Sequence, residues 1–164
     1  MADKEKDLAI IIYNTLCKVL NEKNWKFMSD DRKLEVKFTI ESNGLPIQFD
    51  IAINVEKQLA ILYSILTFKM KEEKRIEGAL AACIASYNLY DGNFDYNLTD
   101  GTLLFRLVFS FKESLISEHL FWKVIRYTCS IVNKYNDKFY SINEGLLSIE
   151  DFLLSREGDN NSNN

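Results

Sequence analysis

The feature that most constrains this chain is a run of strict alternation that turns back on itself. From Lys33 to Glu41, Leu34, Val36, Phe38 and Ile40 alternate with Glu35, Lys37 and Thr39. From Ile47 to Val55, Ile47, Phe49, Ile51, Ile53 and Val55 alternate with Gln48, Asp50, Ala52 and Asn54. Period two with one polar face marks a half-buried antiparallel strand. Asn43-Gly44 lies between the runs, and a type I′ turn needs positive φ at both central residues. A two-residue turn there sets Ile40 against Ile47, Phe38 against Phe49, Val36 against Ile51 and Leu34 against Ile53. The same register places Lys37 opposite Asp50. A slip of one residue would turn the whole apolar set to water.

A second hairpin is expected around Asp100-Gly101 on the same grounds. A two-residue turn pairs Leu98 with Leu103, Tyr96 with Phe105 and Phe94 with Leu107, and it sets Asp95 opposite Arg106. Lys37, Asp50, Asp95 and Arg106 are therefore expected on one polar sheet face. The run Gln58 to Phe68 is apolar on both faces, which predicts a central strand or one covered on its second face. A short extra strand at Trp25 to Met28 is only weakly indicated.

Three longer helical patterns surround these strands. The first, from about Asp3 to Asn21, carries a stripe of Leu8, Ile11, Ile12, Thr15, Leu16 and Val19. Ile10, Tyr13 and Cys17 form a second stripe nearly opposite. The middle helix, roughly Glu72 to Tyr90, is expected to lay Ile76, Leu80, Cys83, Ile84 and Tyr87 on the sheet. Its back would then be Gly78, Ala81, Ala82 and Ala85, with no charge from Gly78 to Tyr90. A solvated back normally carries Lys and Glu, whereas a small-residue back lets another backbone approach. That back is expected to be a contact surface in a homodimer, the alternative being cover by the Ile10–Tyr13–Cys17 stripe within one chain. The third helix starts at the N-cap Ser117 and continues to about Phe139, with His119 on its solvent side. Ser148 announces a short final helix.

The order helix, three-strand meander, helix, hairpin, helix predicts a two-layer α+β fold: an antiparallel sheet of about five strands with helices packed on one face. Residues 1–157 read as a single domain, which suits a chain of 164 residues. Residues 158–164 have nothing to bury and are expected to form a disordered tail.

The chemistry is sparse. A net charge of −4 without a basic stripe argues against nucleic acid. No uncharged run reaches the ~18–20 residues of a membrane span. Cys17, Cys83 and Cys129 are widely spaced in apolar patterns and are expected to be reduced and largely inaccessible. That fits a cytoplasmic protein. Asp91 to Asn97 has the alternating oxygens of a calcium loop, but Tyr96 and Thr102 stand where such a loop needs glycine and glutamate. There is no Gly-rich phosphate loop, GxSxG, HExxH or Cys-x-x-Cys. No catalytic, cofactor-binding or metal-binding residue is therefore assigned.

One resemblance bears on function. Asn88, Gly92-Asn93-Phe94, Asp100-Gly101, Phe105-Arg106, the serine-capped helix from Ser117, Tyr135 and Phe139 occur in an order and spacing similar to the YbjN-like family of bacterial sensory transduction regulators. Those proteins share the fold of the type III secretion chaperones. The resemblance implies a non-enzymatic, often dimeric, regulator or chaperone-like protein binder, with no catalytic residues to transfer. The alternative from the residues themselves is a small-molecule-binding or catalytic domain using the polar sheet face.

Overall fold

The computed structural model describes residues 2–42 and 44–161. Helix α1 (Ala2–Glu22) is followed by β1 (Met28–Asp30), β2 (Glu35–Ile40), β3 (Ile47–Asn54) and β4 (Leu59–Lys69). A short 3-10 turn leads into α2 (Arg75–Ser86), then β5 (Asn93–Tyr96), β6 (Thr102–Ser110), α3 (Glu118–Asn143) and α4 (Ile149–Asn161). The six strands form one antiparallel sheet in the order β1-β2-β3-β4-β6-β5, with the helices on one face. β4 is central, as its two apolar faces predict. The sixth strand is β1, which begins at Met28, the last residue of the weakly indicated Trp25–Met28 segment.

The first hairpin has the expected register throughout: Ile40 faces Ile47, Phe38 faces Phe49, Val36 faces Ile51 and Lys37 faces Asp50. Phe38 and Phe49 stack with ring centres 4.7 Å apart. The connection is anchored from a distance. Leu45 N–H donates to Asp137 Oδ1 at 3.2 Å, and Asn136 Nδ2 donates to the Leu45 carbonyl at 3.2 Å. Asn43, half of the expected turn, lies outside the described residues.

The second hairpin departs from expectation by two residues. Phe94 pairs with Phe105, Tyr96 with Leu103, and Asn93 rather than Asp95 stands opposite Arg106. The cause is the turn. Gly101 takes φ +75 and donates its N–H to the Asn97 carbonyl, while Asn97 N–H donates to the Thr102 carbonyl. The loop thus takes in Leu98, which is exposed rather than paired. Gly101 also serves close approach: a Cβ there would lie 2.3 Å from the Met70 carbonyl oxygen.

The core lies between the sheet and the helices. Phe94 meets Phe105, Tyr135 and Phe139 edge-on at 5.0–5.6 Å between centres. Phe152 of α4 closes this cluster against Tyr135 and Phe139. Ser117 caps α3 by accepting from Leu120 N–H, and Ser148 does the same for Asp151 at the start of α4. From its capped start, α4 continues to Asn161, through part of the segment expected to be a tail. Extending a nucleated helix costs far less than starting one. Residues 162–164 lie outside the described residues.

α2 is turned the opposite way from the sequence expectation. Gly78, Ala81, Ala82 and Ala85 are buried, whereas Ile76, Leu80, Cys83 and Tyr87 are exposed. The helix packs on β5, α3 and α4 so closely that a Cβ on Gly78 would lie 2.7 Å from Met70 Cγ. Only small side chains fit that gap, so the large ones are left outside. The same rotation exposes Cys83, against the expectation that all three thiols are largely inaccessible; Cys17 on α1 and Cys129 on α3 are half-buried.

Candidate functional site

With the helices on one face, the other face of the sheet is open. The strand registers draw one line across it: Met28, Lys37, Asp50, Tyr63, Arg106 and Asn93, on β1, β2, β3, β4, β6 and β5 in turn. Lys37 Nζ meets Asp50 Oδ2 at 2.7 Å on one side of β4. Arg106 meets Asp95 on the other, with Nε donating to Oδ2 at 2.5 Å and a second guanidinium nitrogen donating to Oδ1 at 3.3 Å. All four residues expected on the polar face are there. The Asp95–Arg106 pair forms diagonally, because the slipped register places Leu104 opposite Asp95.

The electrostatics follow from these contacts. The hydrogen bond from Lys37 to Asp50 raises the lysine above its ordinary pKa, and the bond to Asp95 does the same for Arg106. Each pair is largely self-neutralising. Between them β4 presents Leu59, Ile61, Tyr63 and Ile65 outward, beside Ala52 of β3 and Leu104 and Val108 of β6. Ile65 and Val108 are 38% and 40% exposed. A central strand apolar on both faces was legible in the sequence. Its second face, however, is not covered by any described element. A shallow depression of about 310 Å³ lies over Lys37, Gln48, Asp50 and Ile65.

The residues expected to form a partner interface are not brought together. Gly78, Ala81, Ala82 and Ala85 are buried within the chain, so they offer nothing to a second molecule. Nor does α1 cover them, because its partners are α3 and β3. Tyr13 is buried beside the β1–β2 loop, where its hydroxyl donates to Asp31 Oδ1 at 2.6 Å. Burial is the larger cause, with that bond second, of a phenol held well above its usual range. Ile10 and Cys17 flank it, half-buried, and burial pushes the Cys17 thiol up. The sequence reading missed the outward stripe of α2 because it assigned the inside by side-chain size.

His119 is exposed on α3, as expected. Among the described residues no group of three or more His, Cys, Asp or Glu side chains could hold a metal ion, and no helix is long and apolar enough to cross a membrane. Asp91 to Asn97, the calcium-like run, leads into and forms β5.

No family model and no curated protein matches the sequence. Among solved structures the fold is similar to that of YbjN from E. coli, described as "a putative transcription regulator". The two superpose with a TM-score of 0.54 over 80% of this chain and 88% of that one, at 10% sequence identity. At that identity the likeness is one of fold.

Proposed function

We propose that this chain is a non-enzymatic, protein-binding regulator related to the YbjN-like proteins, and that it meets its partner through the open face of its sheet. The observation that carries the reading is the outward row of β4. Leu59, Ile61, Tyr63 and Ile65 sit at the centre of a face that has an ion pair on each side. Specific protein interfaces share this anatomy, an apolar centre with a polar rim. Central strands of one-sided sheets ordinarily put polar residues toward water. The fold neighbour's description as a regulator is consistent with this assignment. Nucleic acid is a poor fit, because two acids on this face offset its two best-placed cations and the chain as a whole carries −4.

The rival is a small-molecule or catalytic site in the depression over Lys37 and Asp50. It is at the lower limit of ligand-sized cavities, and its two charges are spent on each other. The test is Ile61→Lys, which places a charge at the centre of the face without touching the core side. A protein captured with the wild-type chain is purified and titrated against both forms. Binding weakened tenfold or more in a folded variant supports the reading. Unchanged affinity, or capture of a small molecule alone, overturns it.

A further inference from the structure

We infer that the open face is self-complementary and binds a second copy of this chain face to face, about a two-fold axis running along β4. This rests on the protein-binding reading above and names its partner. Counting outward from Tyr63 along the registered line, the first position on one side is Asp50 and the next Lys37. On the other side the first is Arg106, and beyond it, on β5, the neutral Asn93, with Asp95 two residues along that strand and bonded diagonally back to Arg106. The two positions that flank β4 therefore carry opposite signs. A two-fold axis parallel to that strand carries β3 over β6 and β2 over β5. Asp50 of one copy then lies over Arg106 of the other, and Lys37 lies over Asn93, two residues along β5 from Asp95. One row away, Ala52 of β3 meets Val108 of β6, so the apolar positions also match. β4 lies on the axis, with Ile61 and Tyr63 facing their own copies.

The alternative in-plane axis, running across the strands through the same point, sets Lys37 over Lys37 and Asp50 over Asp50. Like charges there oppose association. The charge row therefore selects one of the two symmetric ways of stacking this face on itself. Aligned packing of two sheets about 10 Å apart is a common geometry. The lengths of β2, β3, β4, β6 and β5, 6, 8, 11, 9 and 4 residues, give a patch of roughly 600 Å² per copy, at the lower end of the ~600–1,000 Å² that each partner contributes to a standard interface. A C2 dimer is also the commonest soluble assembly.

The test is a charge exchange read by sedimentation or light scattering at low ionic strength. The wild-type chain should have twice the 19.1 kDa chain mass at high micromolar concentration. Asp50→Arg places Arg over Arg106 in its own dimer, and Arg106→Glu places Glu over Asp50. Each variant alone should dimerise at least tenfold more weakly. Mixed in equal amounts they should form a heterodimer, because Arg at position 50 then faces Glu at position 106. Thermal melts establish that each variant is folded. A wild-type chain that stays monomeric overturns the inference, and so do variants that dimerise as well alone as mixed. In the first case, loss of a different protein partner in Ile61→Lys would leave the protein-binding reading standing. If that loss is absent too, both fail.

Discussion

Replacing Gly78 by alanine sets two effects of known size against each other and asks which way α2 faces. Alanine in a helix interior is favoured over glycine by about 0.5–1 kcal/mol. Here the added methyl would lie 2.7 Å from Met70 Cγ and 3.0 and 3.1 Å from Tyr96 Oη and Cε2. Carbon atoms in good contact sit about 3.5–4.0 Å apart. Met70 is only 2% exposed and has no route into solvent, so the helix must move off β5 or the side chains must repack. Overpacking of this kind costs about 1–3 kcal/mol. Overpacking wins, and the variant should lose about 0.5–2 kcal/mol. For a chain of 164 residues each kcal/mol is worth about 3 °C in Tm, so the drop should be roughly 2–6 °C. Urea titration and thermal melting both read it. Leu80→Ala is the paired control. Leu80 is 49% exposed, and its truncation should cost no more than about 1 kcal/mol. A stabilised Gly78→Ala together with a Leu80→Ala loss above about 2 kcal/mol would mean that the large face points inward.

Three further outcomes follow from particular contacts. Thiol labelling of the native chain should modify Cys83 first, with Cys129 slowest because burial pushes its thiol up to about 11; peptide mapping that finds Cys129 modified first would contradict the packing of α3. Asp100 accepts hydrogen bonds from Lys69 and from the N–H and hydroxyl of Thr102, which lower its pKa from 3.8 to about 2. The stability this confers is fully present above about pH 4 and is lost as pH falls through about 2, so Asp100→Asn should flatten the acid limb of stability between those values. Equal slopes for variant and wild type in denaturation at pH 2–5 would refute it. Phe152→Ala empties a position that is 0% exposed against Tyr135 and Phe139 and should cost about 3–5 kcal/mol. Hydrogen exchange should then speed up in α4 well before β4, and protection retained in α4 would argue against its anchoring role.

Legibility varied with how one-sided each pattern was. The β2–β3 hairpin was readable to the residue because alternation excludes odd slips and the Asn43-Gly44 turn signal chooses among the even ones, setting Phe38 on Phe49 and Lys37 on Asp50. The β5–β6 hairpin has the same polarity, yet its register was misread by two. An even slip keeps Phe94 inward and Asp95 outward, so alternation is blind to it, and only the loop geometry at Gly101 decides. α2 has little polarity to read. Its rotation is fixed by how near β5 and Met70 stand to Gly78, a distance that exists only in the assembled chain. Much of the candidate site was visible: the four charged residues were assigned to one face, and β4 was recognised as apolar on both sides. That no described element covers this face, and that Asp50 and Arg106 flank β4 with opposite signs, emerge only once strand order is known.

That strand order also fixes a sequence of events in folding. β1 to β4 pair with their neighbours in the chain, across connections of four to six residues, and each can zip from a local turn. β6 has no such route to β4. Between them lie α2 and β5, so the pairing that joins the two halves of the sheet must close a loop of 32 residues, Met70 to Gly101. The cost of loop closure grows only slowly with length, yet it falls before any of the contacts that offset it. The carbonyl of Gly101 accepts from Met70 N–H at 2.9 Å at the mouth of that loop. The residue whose conformation sets the β5–β6 register is therefore also the one that pins the two halves of the sheet together.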